Sequence, residues 1–198
     1  MTAQAIARLK ITLDHVEPKI LRRLEVPLAL KLDRLHLVIQ AAMGWSNYHL
    51  YEFRARGVGW GEPDPDGIYD GPMDARKARL VDLLEETGVK SFKYIYDFGD
   101  GWEHTMVIGR RFDAVHGVLY PVLLEVEGRC PPEDCGGPWG YADFLEAHAD
   151  PEHDRHEEII EWIGDDFDPA AIDAGALAAE VEALARHWSR KPAARRKA

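Results

Sequence analysis

The chain has 198 residues, 46% of them hydrophobic, with six Trp and seven Tyr, which is enough to bury one sizeable core. Its net charge of −11 is uneven: residues 186–198 carry six bases and no acid, so the other 185 residues sum to −17. A body this acidic repels phosphate backbones and disfavours broad nucleic-acid binding by the folded part, and no apolar run approaches the ~20 residues needed to span a bilayer.

Taken in chain order, Leu9, Ile11 and Leu13 alternate with Arg8, Lys10 and Thr12, the pattern of a half-buried strand. After a turn at Pro18, Ile20 to Val26 reads as its hairpin partner. Asp33 is expected to cap a helix carrying Leu35, Val38, Ile39, Ala42 and Met43, with Gly44 closing it. His49 to Arg54 reads as a third strand, and Val58 to Pro72, rich in Gly, Pro and Asp, as an acidic surface loop. Leu80, Val81, Leu83 and Leu84 predict a second helix ending at Gly88.

Phe92, Tyr94, Tyr96 and Phe98 occupy every second position and give the strongest strand signal in the chain. The Asp97-Phe-Gly-Asp-Gly sequence supplies turn chemistry, and Trp102 to Ile108 returns as the paired strand. Tyr120 to Glu127 is a further strand, and helices are expected near 141–148, 154–163 and 169–188. The implied architecture is α+β: a single compact domain over 1–188, mostly antiparallel sheet packed with helices, and helical toward its C-terminus. Residues 189–198 read as a basic, disordered tail.

Two segments concentrate the polar chemistry. Tyr94 to Met106 (YIYDFGDGWEHTM) holds Asp97, Asp100, Glu103 and His104 at a hairpin tip. Cys130 to Tyr141 (CPPEDCGGPWGY) adds Glu133, Asp134 and both cysteines. Asp97, Asp100, His104, Glu133 and Asp134 are suitable ligand types for a divalent metal ion. An EF-hand is excluded, because the twelfth residue counted from Asp97 is Ile108 rather than Glu. Strand alternation places Trp102, His104 and Met106 on one face and Glu103 on the other, so Glu103 and His104 do not share an ion. A purely structural role competes: Asp97 and Asp100 bonding turn amides while Gly99 and Gly101 permit positive φ.

Cys130 and Cys135 read either as core-packed thiols or as a thiol or zinc site completed by His104 or His49. Gly136 to Gly140 lacks the Lys-Ser/Thr of a phosphate loop and reads as a tight turn seating Trp139 and Tyr141. Arg22 and Arg23 could pair with the carboxylates of either segment, and Trp45, His49 and Trp102 are candidates to line a groove. Two cysteines are too few for a disulfide framework and the N-terminus lacks the long uncharged stretch of a signal peptide, so a cytoplasmic setting is expected.

DFGDGWEH followed by CPPEDCGGPWGY resembles the plasmid pRiA4b ORF-3-like family. PKILRRLEVP, IQAAMGWSNYHLYEF (Ile39 to Phe53) and FDPAAID fit the same pattern, and the resemblance runs from about Leu9 to Asp173. One departure is Leu21, where the family commonly has Trp before the Arg pair, a packing change. The resemblance implies a compact α+β fold and kinship with proteins carried on plasmids and insertion sequences, some called resolvase-like, and it brings no established catalytic residues.

Three functions remain open from the sequence. The first is a non-enzymatic accessory or interaction module acting on a protein partner. The second is a metal-dependent hydrolase or nuclease using the DFGDGWEH and PPED carboxylates. The third is a nucleic-acid contact through 186–198, which an unchanged DNA affinity after deletion of those residues would eliminate.

Overall fold

Alternating apolar residues at 9, 11 and 13 become the middle of strand β1 (Ala5–Leu13), which pairs antiparallel with β2 (Leu21–Pro27). In this computed structural model, residues 4–64 and 71–189 are described. The remaining strands are β3 (Tyr51–Ala55), β4 (Val58–Gly61), β5 (Met73–Asp74), β6 (Ser91–Tyr96), β7 (Trp102–Asp113) and β8 (Val122–Glu127). All eight form one sheet in the order β5-β4-β3-β6-β7-β1-β2-β8, antiparallel except for the β4–β5 pair. The fold is a single α+β domain.

Helix α1 (Leu32–Met43) buries Leu32, Leu35, Val38, Ile39, Ala42 and Met43 at helical spacing. Its N-cap is Lys31. Asp33 lies in the first turn, where it favours the helix dipole instead of capping the end. Gly44 closes the helix in the left-handed region, at φ 85, and donates its N–H to Gln40 O at 2.9 Å. Helix α2 (Leu80–Thr87) ends in the same way at Gly88. Helices α3 (Gly137–Ala149), α4 (His156–Ile163) and α5 (Ala174–Ser189) follow β8. Helix α5 packs on α1 and β8, and α3 packs on α4.

Two further expectations change. Val58 to Gly61, expected in the surface loop, pairs with β3 through Phe53↔Trp60 and Glu52↔Gly61, and Trp60 is buried. Glycine is what permits this pairing: a Cβ at Gly61 would stand 2.5 Å from Tyr51 O. Phe98 continues the alternation of β6 in sequence but is half exposed, because the chain leaves the sheet at Asp97. The part of the predicted loop spanning 65–70 and the basic residues 190–198 lie outside the described residues. Among the described residues, no helix is long and apolar enough to cross a membrane.

The sheet face beneath α1 carries the aromatic core. Tyr94, Tyr96, Trp102, His104 and Met106 are all buried there. The register Tyr94↔His104 and Tyr96↔Trp102 stacks them in pairs on neighbouring strands. Trp45, leaving α1, lies 5.1 Å from Tyr96 and meets the edge of His104 at 5.4 Å, which locks the helix exit onto the hairpin.

Candidate functional site

The turn between β6 and β7 is built by Asp97 and Gly101, both at positive φ, whereas Gly99 is outside the left-handed region and Asp100 bonds an amide of another loop instead of the turn, so half of the expected turn chemistry is replaced. Asp97 takes φ 55, donates its N–H to Leu50 O, and accepts Gly99 N–H on Oδ1 at 2.9 Å. Its carbonyl accepts Gly101 N–H at 2.6 Å. Left-handed aspartate with a side-chain bond two residues on is ordinary turn chemistry. Asp100 reaches outward and accepts Gly136 N–H on Oδ2 at 3.1 Å.

The CPPEDCGG loop closes over this tip and over the residues after α1. Trp45 Nε1 donates to Pro131 O at 3.0 Å. Glu133 accepts Ser46 N–H at 2.8 Å and the Tyr96 hydroxyl at 2.6 Å, and that hydroxyl in turn accepts Tyr48 N–H at 3.0 Å. Burial beside this carboxylate raises the Tyr96 phenol above its ordinary range and keeps it a donor. The hairpin tip, the 44–50 segment and the Cys130–Gly137 loop therefore form one hydrogen-bonded assembly.

Within it, His49, Asp97 and Asp134 bring one ligand atom each to within 4.8 Å of one another. His49 Nε2 stands 3.1 Å from Asp134 Oδ1 and 3.6 Å from Asp97 Oδ2. Of the five residues read as metal ligands from the sequence, Asp97 and Asp134 meet in this group. Asp100 and Glu133 are neighbours of it, held by backbone amides and Tyr96. His104 is not part of it: the ring is fully buried under Trp45 and Tyr94, with Nδ1 3.3 Å from Tyr94 O and Nε2 unpartnered. His49 was grouped in sequence with the cysteines or a groove. Its place beside Asp97 follows from the register Tyr51↔Tyr96, a long-range pairing with no local signal.

The other candidates divide between core and surface. Arg22, Trp102 and Tyr141 are buried, Trp45 nearly so, and Trp139 is 89% exposed. Arg22 pairs with neither carboxylate segment. Its guanidinium donates to three carbonyls and to Cys130 Sγ, while Arg23 pairs with Glu125 on β8. The salt-bridge network expected to join these arginines to the two segments is thus replaced by backbone contacts at Arg22 and by a cross-strand ion pair at Arg23.

Cys130 sits between Arg22 Nη2 and Met43 Sδ, at 3.3 Å from each. Burial pushes its thiol up to about 11, against the pull of Arg22, and burial with Asp100 nearby pushes Cys135 to about 12. Both cysteines are free and stay protonated near neutral pH, the opposite of an activated nucleophile. Burial also lowers His104 and His36 to about 4. Both rings are therefore neutral when folded but bind protons when unfolded, from the ordinary value of 6.5 downward. Stability contributed by these rings is complete above that value and is lost as pH falls toward 4, at about 1.4 kcal/mol per pH unit for each histidine. A urea midpoint that falls through this window, with proton uptake on unfolding approaching two, is expected. A folded-state imidazole titration near the ordinary value for either ring would contradict it.

The sequence profile of the family described as "Plasmid pRiA4b ORF-3-like protein" matches residues 5–176. The chain belongs to this family. It is 57% identical over 194 residues to "Uncharacterized protein y4hQ" of Sinorhizobium fredii (strain NBRC 101917 / NGR234), covering 98% of each chain. It is also similar to the crystal structure of a protein of unknown function, MM3350 from Methanosarcina mazei Go1. That similarity has a TM-score of 0.77 and 34% identity, covering 88% of this chain and 98% of the other.

In this pRiA4b ORF-3-like chain the sequence motifs are the parts of the assembly. PKILRRLEVP supplies Arg22, IQAAMGWSNYHLYEF supplies Trp45, Ser46 and His49, and the other two polar motifs supply the tip and the loop. FDPAAID completes a groove of about 750 Å³ between α5 and the loop, lined among others by Trp45, Cys130, Glu133 and Phe167.

Proposed function

We propose that this pRiA4b ORF-3-like protein is a non-enzymatic accessory module of the kind carried on plasmids and insertion sequences, acting in the cytoplasm by binding a protein. The observation that carries the reading is Trp139. It stands 89% exposed in the first turn of α3, whereas Trp45, Trp60 and Trp102 are buried. It borders a cleft of about 1030 Å³ lined by Glu17 and Asp100, by Asp14, which is paired with Lys93, and by Lys19, which is paired with Glu127. An aromatic anchor beside carboxylates, on a body of strongly negative charge, suits a basic segment that presents an apolar side chain. The protonated thiols and the buried, neutral His104 support a non-catalytic role.

The test is photo-crosslinking from position 139 in the native host, with the same probe at exposed Val115 as the reference. One defined protein adduct at 139, weakened by Glu17→Lys, is expected. Adducts no different from those at 115 would overturn the reading. Trp139→Ala should shift unfolding free energy by less than about 0.5 kcal/mol, as for surface positions, while removing the adduct.

A metal-dependent hydrolase or nuclease is the second reading, favoured by the meeting of His49, Asp97 and Asp134. It stands behind the first because Asp100 and Glu133 are already engaged by Gly136, Ser46 and Tyr96. Metal-stimulated cleavage of a peptide or nucleic acid that disappears in Asp134→Asn would reverse the order.

A further inference from the structure

We infer that His49, Asp97 and Asp134 form a binding site for a single divalent transition-metal ion of the zinc class, which ties the hairpin tip and the CPPEDCGG loop to the segment after α1. The inference is independent of the contact surface around Trp139 and stands or falls without it.

Three observations carry it. The first is geometric. Zinc takes nitrogen and carboxylate oxygen at about 2.0–2.2 Å, so tetrahedral ligands stand roughly 3.3–3.6 Å apart. From His49 Nε2, Asp97 Oδ2 at 3.6 Å lies at that spacing and Asp134 Oδ1 at 3.1 Å slightly inside it, and the three ligand atoms all lie within 4.8 Å of one another.

The second is an unsatisfied donor atom. His49 Nε2 is itself shielded from solvent, on a side chain 27% exposed, and it makes no hydrogen bond although Asp134 Oδ1 stands 3.1 Å away. A ring nitrogen enclosed in this way costs free energy unless something else occupies its lone pair.

The third is charge. Asp97, Asp100, Glu133 and Asp134 converge in one assembly, and among the described residues none of them has an ion pair with Lys or Arg. Elsewhere the described acids commonly have such partners, as Asp14 has Lys93, Asp74 has Arg76 and Asp82 has Arg79. A divalent cation would neutralise the convergence.

The donor set selects the ion. One imidazole and two carboxylates suit Zn²⁺, which accepts mixed N and O ligands in four-coordination with a fourth position left for water. Mg²⁺ demands near-octahedral oxygen coordination and dehydrates reluctantly, so it should not compete. Three protein ligands from segments distant in sequence also mean that the ion binds the folded state and stabilises it.

Asn substitutions give a clean test, because Asn tolerates the left-handed backbone of Asp97 and Asp134 and still accepts Gly99 N–H at position 97. The metal-stripped full-length protein is titrated with Zn²⁺ by calorimetry, and its melting midpoint is followed with and without Zn²⁺ or Mg²⁺. Wild type should bind one Zn²⁺ per chain and melt higher in Zn²⁺ but not in Mg²⁺. His49→Ala, Asp97→Asn and Asp134→Asn should each weaken binding about 100-fold or more while keeping the metal-free midpoint close to wild type. Cys130→Ser and Cys135→Ser should bind as wild type does. No saturable binding by wild type, unchanged affinity in the three ligand variants, or loss in the cysteine variants would overturn the site.

Discussion

Arg22→Ala is expected to cost about 4 kcal/mol, one of the largest losses available at a single side chain here. Arg22 is on β2 and fully buried. Nε donates to Ala42 O at 2.7 Å, and Nη1 donates to Leu21 O and Glu127 O at 2.8 Å each. Nη2 reaches Cys130 Sγ. Burial lowers the guanidinium below its usual range, yet it remains charged, and four charge-assisted contacts offset its desolvation. Alanine leaves the α1 carbonyl and the β8 carbonyl without donors and opens a void between the helix exit, the sheet edge and the loop. Arg22→Lys should lose more than about 2 kcal/mol, because a single ammonium cannot reproduce the spread of the planar fork. Urea unfolding near neutral pH measures both, and an Arg22→Ala loss below about 1 kcal/mol would contradict this account.

The second large effect is at Gly137, where the loop meets the hairpin tip. A Cβ there would stand 2.2 Å from Asp100 O, a backbone atom that cannot rotate away, and the residue holds φ 71. Gly137→Ala therefore combines left-handed strain of about 1–2 kcal/mol with a forced separation of loop and tip. The separation breaks the Gly136–Asp100 hydrogen bond and moves Asp134 away from His49. A total loss of about 3 kcal/mol is expected, together with loss of saturable Zn²⁺ binding. Gly101→Ala is the control. It has φ 68 but open space around its Cβ, so only the strain of about 1–2 kcal/mol is expected. Equal losses at the two glycines would show that the close approach to Asp100 carries no weight.

Local patterns were enough for most of the fold. Alternation located β1 and β6, the turns at Pro18 and at Asp97–Gly101 located their partners β2 and the start of β7, apolar spacing located α1 and α2, and Gly44 and Gly88 marked the helix ends. Alternation also separated Glu103 from His104, and the burial of Trp102, His104 and Met106 agrees with it. Strand β4 escaped notice because Gly59 and Gly61 read as turn residues. At Gly61 the backbone of the neighbouring strand passes too close for a side chain, and at Gly59 the Glu52 carboxylate occupies the space, reasons visible only with β3 in place. Phe98 was misplaced for the opposite reason: the two-residue period cannot show where a left-handed residue takes the chain out of a sheet.

By itself the sequence determined the α+β class, the family, and the turn roles of Asp97 and Gly101, because each of these resides in neighbouring residues or in ordered motifs. Tertiary structure alone decided what the polar residues do. It turned His104 inward, gave Arg22 backbone carbonyls in place of carboxylates, left Trp139 in solvent, and set His49 against Asp97 and Asp134. Those partnerships depend on the strand order β3-β6-β7-β1-β2 and on the loop folding back over the tip. Contacts between segments so far apart are chosen by the packing of the whole sheet, which no local period records.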